Sequence, residues 1–168
     1  MYVMVGVAGS GKSTFVEKQL IPQLNLSTKV ISRDKIRFQM VGIDEEYFSK
    51  EDAVFEQFIY EIKTSLKENE NTIVDATHLN RGSRTKLLRA IGKSLKDVNV
   101  YAIVILNDLE TILEQNEQRE GREYVPRSVI RRMYSQFENP TIEEGFKEIM
   151  YYKNNELLYI AGGDWEPQ

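Results

Sequence analysis

Residues 6 to 13 read Gly-Val-Ala-Gly-Ser-Gly-Lys-Ser, the spacing G-x-x-x-x-G-K-[ST], and the flanking sequence narrows their geometry further. An apolar run from Tyr2 to Val7 leads in, and Phe15, Val16 and Leu20 follow at helical spacing, so the order is strand, glycine-rich turn, helix. Glycine, lacking Cβ, lets the backbone wrap closely enough to aim its N–H groups inward, and the helix N-terminus adds positive partial charge. Such a turn cradles polyphosphate. Gly6, Ala8, Gly9, Ser10 and Gly11 form the loop, Lys12 places a cation on the β- and γ-phosphates, and Ser13 offers a hydroxyl to the bridging Mg2+. Thr14 extends toward the α-phosphate, and the expected ligands are ATP and Mg2+.

Further strands are expected at Lys29–Ser32, Thr72–Asp75 and Val98–Leu106, with a fifth at Leu157–Ile160. Helical periods lie between them. Phe55, Phe58, Ile62 and Leu66 form one apolar face, and Leu88, Ile91 and Leu95 form another. Alternating strands and helices imply an α/β fold in three layers: a central parallel sheet of about five strands with helices on both faces. Leu109–Arg119 and Ser128–Phe137 read as two more helices, giving a helical lid around 109–138, and 161–168 reads as an irregular tail. At 168 residues the chain is expected to be a single domain.

In parallel sheets, ligands bind beyond the carboxyl ends of the strands. Asp34, in Ser32-Arg33-Asp34-Lys35-Ile36-Arg37, follows the second strand and is the candidate to orient an acceptor hydroxyl and take its proton. Arg37, one helical turn on, is a candidate clamp for an anionic group of that acceptor. The plainer reading makes Asp34 a helix cap and Arg37 half of a surface ion pair. Asp75 ends the third strand, where a carboxylate stands near Mg2+ or its waters, or holds the acceptor together with Thr77. Thr77 and Asn80 are also possible helix caps, and His78 reads as a structural polar residue. Arg119 and Arg122 lie between the lid helices, where a cover carries positive charge onto the transferring phosphoryl group; Arg119 is favoured. Lys86, Arg89, Lys93 and Lys96 read as the wet side of an amphipathic helix.

Composition removes several classes. Without cysteine there is no disulfide, thiolate catalysis or Cys-ligated metal, and a cytoplasmic protein is expected. A single histidine cannot build a zinc site. No apolar run reaches the roughly 18 residues of a membrane span, and no export signal is read at the start, so no membrane association is expected. A net charge of −4 supplies no global basic field, so any polyanion site must be local.

In the order GVAGSGKST, SRDKIR, IVDATHLN, NEQREGREYVP and YSQFENPTIEEGF, these segments span most of the chain. Together they resemble the kinase domain of the 5'-hydroxyl polynucleotide kinases, end-healing enzymes of nucleic-acid repair. The resemblance implies Lys12 and Ser13 at the phosphates and Mg2+, Asp34 as general base, Arg37 on a nucleic-acid phosphate and Arg119 at the γ-phosphate. It further implies that Asp75 matches the family's acid after the third strand and Asn116 an asparagine before the lid, on the nucleotide side. Gln115 stands where relatives often carry arginine. Such a kinase acts on nucleic-acid 5'-hydroxyl ends, with phosphatase or ligase activity in a separate chain. The alternatives are a kinase of a small metabolite or nucleoside hydroxyl with the same loop, base and lid, and a nucleotide-dependent switch, against which the missing N-K-x-D motif counts.

Overall fold

The first strand, β1 (Tyr2–Val5), occupies the middle of a six-stranded sheet ordered β2-β3-β1-β4-β5-β6. The molecule is represented by a computed structural model describing residues 1–24, 27–68 and 71–162. From β1 the chain passes through helices α1 (Lys12–Phe15) and α2 (Ile21–Leu24), joined by a π-helical turn at Val16–Leu20, to the edge strand β2 (Thr28–Ser32). Helices α3 (Arg33–Met40) and α4 (Glu51–Lys67) lead back to β3 (Asn71–Asp75), which pairs between β2 and β1. Helix α5 (Arg81–Ile91) then crosses to β4 (Tyr101–Leu106) on the other side of β1. The winding direction therefore changes at β1, and the carboxyl ends of β1, β2 and β3 converge on one crevice.

The alternation of side chains along each strand accounts for the layers. Val3, Val5, Ile31, Val74, Ala102 and Val104 point to one face and bury with Phe58 and Ile62 of α4 and Leu87 and Ile91 of α5. Met4, Ile73, Ile103 and Ile105 point to the other, where Phe15, Val16 and Leu20 cover them. A smaller cluster of Val7, Ile112, Leu113 and Ile130 joins the phosphate-loop segment to α6 (Leu109–Glu117) and α7 (Arg127–Ser135).

Five strands are parallel, as the alternating pattern predicts, but the fifth is β5 (Glu148–Lys153), a segment the periodicity did not single out. The expected strand at Leu157–Ile160 lies within β6 (Glu156–Gly162), which runs antiparallel to β5. A two-residue turn with Asn154 at φ 51° and Asn155 at φ 66° joins them, the left-handed pair that a tight hairpin demands and asparagine tolerates. Of the tail read as irregular, 161 and 162 belong to β6, and 163–168 lie outside the described residues. No helix among the described residues is long and apolar enough to cross a membrane.

His78 lies just beyond β3, buried, with φ 44°, its Nδ1 2.9 Å from the Met4 carbonyl oxygen. A carbonyl only accepts, so Nδ1 carries the proton and donates it. Burial, reinforced by the positive charges of Arg33, Lys12 and Arg84, pushes the imidazole pKa down to about 4. In the unfolded chain it titrates near ~6.5. Between those values the unfolded state binds more protons, so stability is complete above pH 6.5 and declines by up to about 3 kcal/mol as pH falls toward 4. Denaturant titrations at several pH values should show His78→Gln flattening this limb by close to one proton; an unaltered slope would contradict a buried neutral imidazole.

Candidate active site

The phosphate loop is shaped by close approach. A Cβ on Gly6 (φ 155°) would meet the Ile105 carbonyl oxygen and Ser10 Oγ at 2.9 Å, and one on Gly9 (φ 84°) would stand 3.1 Å from the Ile112 carbonyl oxygen. Only glycine fits where the loop passes over β4 and rests on α6. Its back is tied down by the Gly6 amide to the Thr77 carbonyl (2.9 Å) and by Asn107 Nδ2 to the Ser10 carbonyl (2.9 Å).

Lys12 is buried, and its ammonium donates to the Gly6 and Val7 carbonyls at 3.0 and 2.9 Å, which leaves one N–H directed at no protein acceptor among the described residues. Burial pushes its pKa down to about 8, with the charge of Arg119 adding and that of Asp75 opposing. The ammonium still carries its proton at neutral pH, but short of negative partners. Ser10 Oγ is likewise buried without a protein partner among the described residues. Ser13 Oγ donates to Asp75 Oδ2 at 3.1 Å, which turns the hydroxyl lone pairs away from Asp75. Burial raises the Asp75 pKa, while Lys12 and the Ser13 hydrogen bond pull it down. An under-neutralised cation, an orphaned hydroxyl and a hydroxyl–carboxylate oxygen pair fit a magnesium-bound polyphosphate. No set of three or more His, Asp or Glu side chains able to hold a metal occurs among the described residues, so a Mg2+ held at Ser13 and Asp75 would need phosphate oxygens and water to complete its coordination.

A cleft of about 520 Å3 opens in front of this loop, lined on one side by Ala8, Lys12, Ser13 and Thr14 and on the other by Asp34, with Asp75 and Thr77 between. Asp34 lies in the first turn of α3 with its side chain 61% exposed, so it is neither buried nor the cap; the capping position belongs to Ser32. Its carboxylate pairs with Arg37 Nη1 and accepts from the Tyr47 hydroxyl at 3.3 Å.

Arg37 departs from expectation. Nε donates to Glu51 Oε2 at 3.0 Å, and Nη2 donates to Glu51 Oε1 and Oε2 at 3.1 and 2.9 Å. Its guanidinium also stands 4.9 and 5.3 Å from the ring centroids of Tyr47 and Phe48. With its fork filled, Arg37 holds Asp34 in place and has no free edge for a phosphate of the acceptor. Sequence reasoning missed Glu51 and Tyr47. Both lie beyond α3, at distances along the chain that no helical or strand period connects.

Arg119 and Arg122 reach the cleft from the connection between α6 and α7. Arg122 is strapped across it, donating to the Val41 carbonyl at 2.8 Å and stacking 5.0 Å from the Phe38 ring centroid. Arg119 makes a long contact of 3.4 Å to the Glu123 carbonyl and remains half-exposed at the opening. Asn116, expected beside the nucleotide, is fully buried, and both ends of its amide are spent on Val125, at 2.7 and 3.1 Å. It braces the connection that carries Arg119. Asn80 caps α5 through a reciprocal pair with Ser83, as the plainer reading allowed.

The glycine cradle after β1, the acid ending β3 and the flanked, largely parallel sheet define a P-loop kinase fold. The chain belongs to the AAA domain family, whose profile matches residues 1–140. It is similar to the L-seryl-tRNA(Sec) kinase of Methanococcus maripaludis, 28% identical over 142 residues that cover 83% of this chain and 53% of that protein. Among solved structures it is similar to a chain of the Pnkp1/Rnl/Hen1 RNA repair complex (TM-score 0.60, 22% identical, covering 80% of this chain and 42% of that one). It is also similar to Chaetomium thermophilum Kti12 in complex with ADP-AlF3 (TM-score 0.60, 16% identical, covering 91% and 88%). The chain thus spans about half the length of the curated relative it matches.

Proposed function

We propose that this chain transfers the γ-phosphate of ATP to the 5'-hydroxyl at the end of an RNA or DNA strand, acting as one domain with residues 109–138 as its lid. The observation that carries the reading is the carboxylate of Asp34, locked by Arg37 and Tyr47 yet open to the cleft that Lys12 and Ser13 face. As the acceptor oxygen bonds to the γ-phosphorus, the bond to the bridging oxygen breaks, ADP leaves, and the hydroxyl proton passes to Asp34. Mg2+, where bound at Ser13 and Asp75, neutralises phosphate charge. Lys12 holds the β- and γ-phosphates throughout. The RNA repair complex among the structural neighbours supports a nucleic-acid acceptor, and the order of short motifs from SRDKIR to NEQREGREYVP supports its 5' end. The absence of cysteine suits a reducing, cytoplasmic setting, and a separate phosphatase or ligase chain is the partner that end repair calls for.

A second reading, favoured by the seryl-tRNA(Sec) kinase relative, is a hydroxyl borne by an aminoacylated RNA. γ-Labelled ATP offered separately with 5'-hydroxyl oligonucleotides, seryl-tRNA, nucleosides and sugars separates these. The proposal expects label on the oligonucleotide; label on seryl-tRNA or a metabolite alone rejects it.

Arg119 belongs to the transition state on this reading, because the charge it meets is greatest on the migrating phosphoryl group. Arg119→Ala should therefore lower turnover by at least about a hundredfold while ATP affinity changes far less. Steady-state kinetics beside equilibrium nucleotide binding checks this, and an unchanged turnover number removes Arg119 from the mechanism.

A further inference from the structure

The outer face of α5 carries a cationic stripe with a geometry of its own. Arg81, Lys86 and Arg89 line a shallow groove of about 850 Å3 together with Thr85 and Ala90, walled on the other side by Phe55 of α4. All three cations are exposed, and none makes an ion pair among the described residues. From Arg81 to Arg89 the helix rises about 12 Å. Phe55 links this groove to the active site: Lys86 Nζ stands 4.5 Å from its ring centroid and the Arg33 guanidinium 5.2 Å. Arg33 directly precedes Asp34. Of the acids beside the path, Glu51 pairs with Arg33 and Arg37, Glu138, which also lines the groove, accepts from the Arg81 amide at 2.8 Å, and the exposed Glu143 feels the charge of Arg81.

A run of unpaired cations on a chain of net charge −4 is a local field, and its direction away from the acceptor side of the cleft selects what it can serve. We propose that Lys86, Arg89 and Arg81 form a track for the phosphodiester backbone of the strand whose 5' end is presented to Asp34, so that the acceptor runs from the cleft over Phe55 and along α5. This rests on the nucleic-acid reading above and extends it to a binding surface outside the cleft. Lys93 and Lys96, on the same chain segment but outside the groove, take no part.

The test uses the full chain and a 3'-labelled single-stranded 5'-hydroxyl oligonucleotide, as RNA and in parallel as DNA, long enough to span the groove, with binding followed by fluorescence anisotropy across a salt series. The Arg81→Gln, Lys86→Gln, Arg89→Gln triple variant should bind at least tenfold more weakly. Its salt slope should shrink by about 2, since each phosphate neutralised on a single strand contributes about 0.7. KM should rise for the long acceptor and stay unchanged for a 5'-hydroxyl dinucleotide, with kcat unchanged for both. The Lys93→Gln, Lys96→Gln variant is the control for bulk charge, and matching melting temperatures establish intact folds. If the triple variant keeps wild-type affinity and slope, or the control weakens binding as much, or the wild type does not bind the strands, the track is overturned. Transfer to the long 5'-hydroxyl strand with an unchanged KM in the triple variant would overturn the track alone and leave the 5'-kinase reading standing. Groove-dependent binding without transfer to any strand would support the track and reject the 5'-kinase reading.

Discussion

Asp34→Asn should abolish phosphoryl transfer, by between about a hundredfold and ten-thousandfold, while ATP binds as in the wild type. The asparagine keeps the size of the side chain and still accepts from Arg37 and Tyr47 through its amide oxygen, so the frame around it stays in place. What it loses is the capacity to take a proton and to hold the attacking oxygen with a full negative charge. On the proposed reading Asp34 faces the acceptor and the loop from Gly6 to Thr14 holds the nucleotide, so the damage should appear in kcat with little change in ATP affinity measured by calorimetry. Undiminished turnover, or loss of ATP binding in parallel with turnover, would place Asp34 outside the chemistry.

The second large effect is on stability. Arg84 is fully buried and spends its guanidinium on five acceptor atoms. Nε and Nη2 form a fork on the Glu144 carboxylate at 2.7 and 2.9 Å, and Nη1 donates to the carbonyls of His78 and Glu138 at 3.1 and 2.9 Å. Nη2 also reaches the Asn139 carbonyl at 3.4 Å. Arg84→Ala leaves the Glu144 charge, itself 1% exposed, without a partner and several carbonyls unmet, so unfolding free energy should drop by about 3–5 kcal/mol. For a chain of this length that corresponds to roughly 6–20 °C in melting temperature. The Arg84→Met, Glu144→Met double variant should recover part of the loss, because it removes the stranded charge while the carbonyls stay unsatisfied. A single-variant loss below about 1 kcal/mol would show that Arg84 does not pin the turn after α7 to the end of β3.

The features legible in the sequence share one property: their partners are close along the chain or set by a period. The glycine spacing specified the phosphate loop, because its neighbours are a strand and a helix of the same unit. Apolar runs at β1, β3 and β4 alternating with helical periods anticipated a parallel sheet covered on both faces, and Asp75 at the end of an apolar strand could be placed at the carboxyl edge. What stayed hidden depends on contacts between distant segments. Glu51 fills the fork of Arg37 from another helix, Arg84 meets Glu144 sixty residues away, and Asn116 looks inward to Val125. For Arg37 and Asn116 a ligand contact was expected, and a protein partner had already taken their polar atoms; Arg84 drew no expectation at all. Glu148–Lys153 was obscured by charged residues at both ends of a half-buried strand, while the apolar Leu157, Leu158 and Tyr159 drew attention although all three are exposed on the sheet's edge strand. Hydrophobicity alone does not distinguish a fifth parallel strand from the outer arm of a hairpin; the Asn154-Asn155 turn does.

The central claim is that the hydroxyl admitted between the phosphate cradle and Asp34 is the 5' end of a polynucleotide. Its most direct test is a competition: ATP, Mg2+ and the intact chain are incubated with two oligonucleotides of equal sequence, one ending in a 5'-hydroxyl and the other in a 5'-phosphate, both blocked at the 3' end, and each strand is weighed by mass spectrometry. The account predicts that the 5'-hydroxyl strand alone gains one phosphoryl group. ATP turnover with both strands unchanged, or a phosphoryl group gained equally by the two, would contradict it.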